Sequence, residues 1–187
     1  MDIILIIKII IYSLATLFFL YISRKSLLNY NVHGFYRFFV FDSILILILL
    51  NIPFWFTNPF SFLQIISWTL LIISAILVLQ SFYLLKKRGG IRGRKNDLSN
   101  YKFENTTVLI KDGIYKYIRH PMYSSLLFLC LGAFLKSISL YTTSLTLFAV
   151  LFLMLTAKTE EKENIKYFGR FYVEYIKETK MFVPFVL

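Results

Sequence analysis

The chain has 187 residues, of which 58% are hydrophobic and 17% are charged, and its formal net charge is +11. This composition excludes an ordinary soluble domain and indicates an integral membrane protein. The positive charge does not indicate a nucleic-acid partner, because membrane topology already explains its distribution along the chain.

Long apolar runs predict an all-α, polytopic protein with five transmembrane helices, at 3–22, 36–56, 62–85, 122–135 and 138–157. We expect the first run to be a membrane helix rather than a cleaved signal, since Asp2 replaces a basic segment and no cleavage site follows. The fourth run is short for a hydrocarbon core of about 30 Å. We therefore expect it to be tilted, shielded by neighbours or extended into the preceding loop.

Basic residues lie mainly on one side of this arrangement. Of the 21 Lys and Arg residues, ten lie within 86–119 and six from Lys158 onward, whereas Lys136 stands alone between the last two spans. Because basic loops face the cytosol, we expect the N-terminus outside the cell and the C-terminus in the cytosol.

The spans predict a single membrane domain over residues 1–187. Residues 1–85 form its first three spans, and 86–187 form a cytosolic loop, the last two spans and a tail that together make the ligand site. The residues outside the spans are too divided for a doubly wound nucleotide-binding sheet, so loops and helix ends must bind any cofactor.

Metal and disulfide chemistry have little support in this sequence. Cys130 is the only cysteine and lies in the fourth span, where we expect a packing role. The two histidines, His33 and His120, belong to different loops and do not by themselves form a metal site.

Polar residues inside the spans allow a functional or a structural interpretation. Asp42 lies six residues into the second span, where an ionisable group is costly and often functional. We favour a shallow Asp42 paired with Arg37, His33 or nearby backbone. The residues expected to form interhelical hydrogen bonds are Asn51, Gln64 and Gln80.

A polar motif, Gly113-x-Tyr115-x-x-x-Arg119-His120-Pro121-x-Tyr123, precedes the fourth span. Proline favours the first position of a helix and disfavours helical geometry in its predecessor, so the helix should begin at Pro121. The free N–H groups of its first turn, with Arg119 beside them, predict a site for the carboxylate or phosphate end of a ligand.

Two carboxylates, Glu160 and Glu161, follow the fifth span at the same membrane face. A carboxylate pair at this position needs a cationic partner. The residues leave two interpretations open: pairing with Arg119, Lys158 or Lys162, or contact between one glutamate and a cationic or hydroxyl-bearing ligand. With the anion site, the second interpretation suits a zwitterionic ligand.

An amphipathic C-terminal helix is predicted from Lys158 to about Lys177. Its apolar stripe consists of Ile165, Phe168, Tyr172, Tyr175 and Ile176. The helix either lies on the membrane interface or packs as a lid over the segment 119–123.

These motifs, together with Phe168-Gly169-x-x-Tyr172-x-x-Tyr175, resemble the isoprenylcysteine carboxyl methyltransferase family and its phospholipid methyltransferase relatives. The resemblance covers residues 107–184. It implies an integral membrane enzyme that binds S-adenosylmethionine at the cytosolic face. The methyl group would pass to a lipid-like or amphiphilic acceptor with a carboxylate, amine or thiol.

The resemblance also implies which residues bind this cofactor. The candidates are Thr107, Val108, Leu109, Ile110, Tyr115, Arg119, His120, Pro121, Met122, Tyr123, Glu160 and Glu161. The helical stripe contains Glu161 and leaves Glu160 about 110° away, but the family pattern selects Glu160, which we favour. His120 and Tyr123 are the candidates for a base, needed only when the acceptor loses a proton.

Two positions depart from the prenylcysteine enzymes. Thr107 stands where they have a histidine, which alters one cofactor contact. Thr156 stands where they have an arginine that holds the acceptor's carboxylate, so a prenylcysteine acceptor is doubtful.

Two other functions compete with methyl transfer. Membrane reductases of the sterol-reductase type, which use NADPH, share an Arg-His-x-x-Tyr signature, but their pattern has Asn before the Tyr, where this chain has Met122. A non-catalytic membrane scaffold is the third possibility and predicts no saturable cofactor binding.

Overall fold

The computed structural model describes residues 3–90, 101 and 104–184. Its helices are α1 (Ile3–Ser23), α2 (His33–Asn51), α3 (Phe62–Arg88), α4 (Pro121–Phe134), α5 (Leu140–Phe168) and α6 (Arg170–Glu178), with three short 3₁₀ turns between them. This part of the chain forms no strand, only an isolated backbone bridge between Ile118 and Lys180. The predicted all-α class is confirmed.

Within the described residues, four helices are long and apolar enough to cross a membrane: α1, α2, α3 and α5. The predicted fourth span corresponds to α4, which has 14 residues, fewer than the roughly 20 that a bilayer requires. Because α4 packs against α2, α3 and α5, it is shielded, as one of the three expectations for this short run proposed.

The predicted tail helix begins in the wrong place. No glycine or proline interrupts the chain between Ala157 and Phe168, so α5 continues through the charged segment as one 29-residue helix, roughly 44 Å long. Gly169, at φ +61°, ends it, and α6 follows as a separate amphipathic helix. Ile165, expected on the apolar stripe, is exposed as a result.

The core forms where α2, α4 and α5 meet. Large side chains of α2, such as Leu47, pack against small residues of the partner helices, including Ala133 and Ala149. On the other side, Gly132 lets α4 approach α3 so closely that a Cβ atom there would lie 3.1 Å from the Ser67 carbonyl oxygen. Small residues commonly permit such close packing between membrane helices.

Helix α1 lies at the edge of the bundle and contacts α2. Two hydroxyl groups of α1 bond the Asp42 carboxylate, from Tyr12 at 3.1 Å and from Thr16 at 2.7 Å. A structural pairing of Asp42 was therefore the right interpretation, but its partners are hydroxyls of α1 rather than His33 or Arg37.

Polar contacts also hold the end of the bundle where α4 finishes. The Asn51 amide donates to the Ala133 carbonyl at 2.8 Å, and Lys136 donates to the Gln64 side chain at 3.0 Å. The Lys136 ammonium lies 3.8 Å from the centre of the Trp68 ring. The expected bonding of Asn51 and Gln64 is confirmed, whereas Gln80 is exposed.

Candidate active site

A cavity of about 670 Å³, including the open space at its mouth, lies where α3 ends, α4 begins and α5 meets α6. Binding sites for small molecules and cofactors are usually concave clefts of this kind. Nine of the twelve predicted cofactor-binding residues line it: Leu109, Ile110, Tyr115, Arg119, His120, Pro121, Met122, Tyr123 and Glu160. The polar motif and the fifth long apolar run therefore meet at one concave site.

The other three predicted residues do not line the cavity. The Thr107 hydroxyl donates to the Gly90 carbonyl at 2.6 Å and so ties its segment to the end of α3. Val108 is 53% exposed. Glu161 lies behind the wall, where it pairs with Arg119.

Seven lining residues were absent from the predicted set: Leu85, Glu104, Thr106, Asn164, Phe168, Tyr172 and Tyr175. The last three belong to the predicted apolar stripe and to the family motif. The sequence therefore marks these three residues, although the stripe alone does not predict that they line a ligand site. Asn164 lies one helical turn beyond Glu160, which also places it on the same face. Glu104 has no comparable sequence signal.

The chain after α6 holds the polar motif in place. Backbone N–H groups of Arg119 and His120 donate to the carbonyls of Lys180 and Met181, at 2.9 and 3.2 Å. The Ser124 hydroxyl donates to the Phe182 carbonyl at 2.7 Å. We call residues 179–183 the tail strap.

Helix α6 covers the motif as the lid interpretation expected. The Tyr175 hydroxyl donates to the Tyr115 carbonyl at 2.6 Å, and Tyr172 and Tyr175 are buried at the cavity wall. As predicted, α4 begins at Pro121 with His120 immediately before it.

The expected anion site at the start of α4 is weaker than the sequence suggested. The Arg119 guanidinium is paired with Glu161 and also donates to the Thr179 carbonyl at 2.8 Å. The N–H group of Ser124 is bonded to the His120 carbonyl at 2.9 Å. Much of the positive charge predicted for this site is therefore already balanced within the protein.

Each of the two glutamates matches one of the two interpretations. Glu161 takes the pairing role with Arg119. Glu160 lines the cavity, with one carboxylate oxygen 3.9 Å from His120 Nδ1 and the other 3.5 Å from the Asn164 amide nitrogen. The Glu160 side chain keeps 25% exposure and lines the cavity.

His120 and Tyr123 carry polar atoms that the protein leaves available. The two rings stack with their centres 5.4 Å apart. His120 Nε2 lies 3.3 Å from Glu161 but at an angle that makes no hydrogen bond, and the buried Tyr123 hydroxyl faces Glu160 without a well-formed one. Buried groups in this condition are costly unless a ligand or water bonds them.

The tyrosines of the cavity wall are hydrogen-bond donors rather than bases. Burial raises the pKa of Tyr115 and Tyr172, and the negative charge of Glu160 raises both further. Burial likewise raises the pKa of Tyr175. All three hydroxyls therefore remain protonated at neutral pH.

The family model of phospholipid methyltransferases matches residues 62–170. The matched range contains α3, α4, α5 and most of the cavity wall, whereas α1, α2 and nearly all of α6 lie outside it. No curated protein and no solved structure matches the chain.

Proposed function

Because the chain belongs to the phospholipid methyltransferase family, we propose that it transfers a methyl group from S-adenosylmethionine to a lipid-like acceptor. The observation that carries this proposal is the cavity in which Glu160, His120 and Tyr123 face one space under the tyrosines of α6. The family match gives no support to the reductase alternative.

The residues of the cavity fit the methyl donor. S-adenosylmethionine supplies an electrophilic methyl group on a positively charged sulfur. The Glu160 carboxylate attracts positive charge, while Leu109 and Ile110 offer apolar surface to the rest of the molecule. His120 and Tyr123, which line the same space, supply polar partners for its other groups.

Positioning is the main contribution of the protein to such a reaction. Methyl transfer is an in-line displacement, so holding the acceptor atom about 3 Å from the methyl group removes much of the barrier. Helix α6 covers one wall of the cavity, which reduces the contact of a charged acceptor with water. When the acceptor carries a proton, His120 receives it through Nδ1, which lies 3.9 Å from the cavity-lining Glu160.

The acceptor is proposed to lack a carboxylate at the reacting end. Thr156 is fully buried and its hydroxyl is bonded to the Phe152 carbonyl at 2.7 Å. It therefore supplies neither the positive charge nor the free donor with which the prenylcysteine enzymes hold a carboxylate. The acceptor that we propose is therefore an amine or a thiol.

Calorimetric titration of S-adenosylmethionine into the purified full-length protein tests the site. We expect His120→Ala and Glu160→Gln each to weaken binding at least tenfold, because each removes a polar partner of a charged ligand. Glu174→Gln is the matched control, since Glu174 pairs with Arg170 on the outer surface of α6. Wild-type affinity in both folded site variants would contradict the assignment.

Labelled donor, incubated with the protein and with lipid extracts, then identifies the acceptor. A radiolabelled lipid product that requires both the protein and Glu160 supports the proposed reaction. Donor binding without any labelled product from amine or thiol lipids contradicts the proposed acceptor class.

A further inference from the structure

The cavity contains a second carboxylate that no sequence motif indicated. Glu104 lines the wall formed by the segment that continues through Thr106 to Ile110, whereas Glu160 reaches the cavity from α5. The Glu104 side chain retains 16% exposure. A ligand in the cavity therefore meets carboxylates from two separate parts of the chain.

Arg37 of α2 fixes the position of this carboxylate. Its guanidinium nitrogen NH1 lies 3.0 and 2.7 Å from the two oxygens of Glu104, and the Tyr101 N–H group donates to one of them at 2.9 Å. The guanidinium also lies 3.9 Å from the centre of the Tyr101 ring. Arg37 itself is buried, with 3% exposure.

A second buried contact fixes Arg37 relative to α5. His33, one turn earlier on α2, lies 3.5 Å from Arg37 through Nε2. Its Nδ1 lies 2.5 Å from Glu163, and its backbone N–H group donates to the same carboxylate at 2.9 Å. Glu163 lies on α5 one turn beyond Glu160, so this network joins the two walls of the cavity through α2.

The ion pairs of this network contribute more to the orientation of their side chains than to the stability of the fold. Burying an ion pair gains little free energy compared with apolar packing, because both charges lose their hydration. A carboxylate has about four acceptor sites. Three are used by Arg37 and Tyr101, which leaves capacity for a hydrogen-bond donor inside the cavity.

We propose that Glu104 binds a hydrogen-donating group of the methyl donor, its ammonium or its ribose hydroxyls, and that Arg37 is the residue that positions Glu104. This inference rests on the proposed function. It gives α2, which lies outside the range of the family match, a role in cofactor binding.

Titration calorimetry with two ligands tests the role of Glu104. S-adenosylhomocysteine keeps the ammonium and the hydroxyls of the donor but lacks the charged sulfur. We expect Glu104→Gln to weaken both ligands by a similar factor, about tenfold. Wild-type affinity for both ligands overturns the proposal, and so does a loss confined to S-adenosylmethionine, since that would assign Glu104 to the sulfur charge instead.

A separate set of variants tests whether Arg37 positions Glu104. Arg37→Met should reproduce the loss seen in Glu104→Gln, and Arg37→Lys should recover part of it, because lysine keeps the charge but not the guanidinium geometry. The double variant Glu104→Gln/Arg37→Met should bind no more weakly than the weaker single variant. Additive losses would show that Arg37 does not act through Glu104.

Asp42→Asn is the matched control, since it alters a half-buried polar contact of α2 without touching the cavity. If Arg37→Met fails to fold, Glu104→Gln and Arg37→Lys, which conserve shape or charge, still decide the question. A wild-type protein that binds neither ligand contradicts the proposed function itself. Binding that Glu104→Gln leaves unchanged contradicts only this inference.

Discussion

At the scale of single residues, the cavity wall combines two half-buried carboxylates, Glu104 and Glu160, with several buried tyrosine hydroxyls. Tyr115 and Tyr172 are held neutral by burial and by the nearby charge of Glu160. Neutral tyrosines donate hydrogen bonds and present aromatic faces to a cation. The wall thus suits a positively charged ligand without containing a tyrosine that acts as a base.

The raised pKa values of these tyrosines should make the stability of the folded protein depend on pH in the alkaline range. Because the pKa of Tyr172 in the folded protein lies above the ordinary value of about 10, the folded state retains its proton when the unfolded state loses it. The associated stability is complete below about pH 10 and falls as the pH rises further. We expect the thermal midpoint to drop from pH 9.5 to about 11 less steeply in Tyr172→Phe than in wild type.

Tyr141→Phe provides the control for this titration, since Tyr141 is 81% exposed at the far end of α5. It should follow the wild-type pH dependence. Equal slopes for Tyr172→Phe and wild type would show that the Tyr172 hydroxyl has an ordinary pKa.

The sequence predicts most single residues of the site, because the motif 113–123 is local and the helix start at Pro121 follows from backbone geometry. The choice between Glu160 and Glu161 needed the family pattern. The apolar stripe that included Glu161 was assigned across Gly169, where α5 ends, so it combined residues of two separate helices. Glu104 could not be predicted, since only the fold brings Arg37 to it.

At the scale of elements, the tail strap links the end of the chain to the start of α4. Phe182 is 1% exposed and packs in the core with Tyr123 and Leu127. Its carbonyl accepts the Ser124 hydroxyl, and its neighbours pair with Arg119 and His120. The short helix α4 therefore depends on residues about 60 positions away for the geometry of its first turn.

Removing the Phe182 side chain should loosen this arrangement. Phe182→Ala leaves a cavity in the core and should lower the free energy of unfolding by about 3–5 kcal/mol. Because the strap then holds His120 less firmly, donor affinity measured by calorimetry at low temperature should fall as well. The thermal midpoint in detergent measures the first effect.

Phe171→Ala is the comparison for this variant, because Phe171 is 72% exposed on α6. Its effect on the free energy of unfolding should remain within about 0.5 kcal/mol. A Phe182→Ala protein that is destabilised yet binds the donor normally would show that the strap stabilises the fold without shaping the site.

The strap also marks a limit of prediction at this scale. The predicted C-terminal helix ends at about Lys177, and residues 179–183 have no periodicity that indicates a partner. Their backbone pairs with residues 117–120, and a contact between residues so far apart in the chain produces no local sequence pattern. The break between α5 and α6, by contrast, was marked by Gly169.

At the scale of the whole molecule, the distribution of basic residues along the chain bears on which membrane face the cavity occupies. Sixteen of the 21 basic residues belong to 86–119 and to the chain from Lys158 onward, and described residues of the same two parts of the chain supply most of the cavity lining. From the positive-inside rule we predict that the cavity faces the cytosol. The N-terminus of α1 would lie outside, with α4 counted as a fifth, shorter crossing.

Labelling of introduced cysteines tests this orientation. Cys130 is buried and should not react with a membrane-impermeant maleimide. Thr57→Cys, between α2 and α3, should be labelled in intact cells, whereas Lys177→Cys on α6 should be labelled only after permeabilisation. Both positions are exposed in the folded protein. The reverse pattern would place the cavity outside the cell.

The brevity of α4 has a consequence for how a lipid would meet the methyl donor. Its 14 residues rise about 21 Å, some 9 Å less than the hydrocarbon layer. If its far end stays near Lys136 at one boundary, His120 lies about 9 Å inside the other boundary, beside the acyl chains. A lipid could then present its headgroup by sideways diffusion within its own leaflet, never leaving the bilayer, and turnover would follow the two-dimensional density of that lipid.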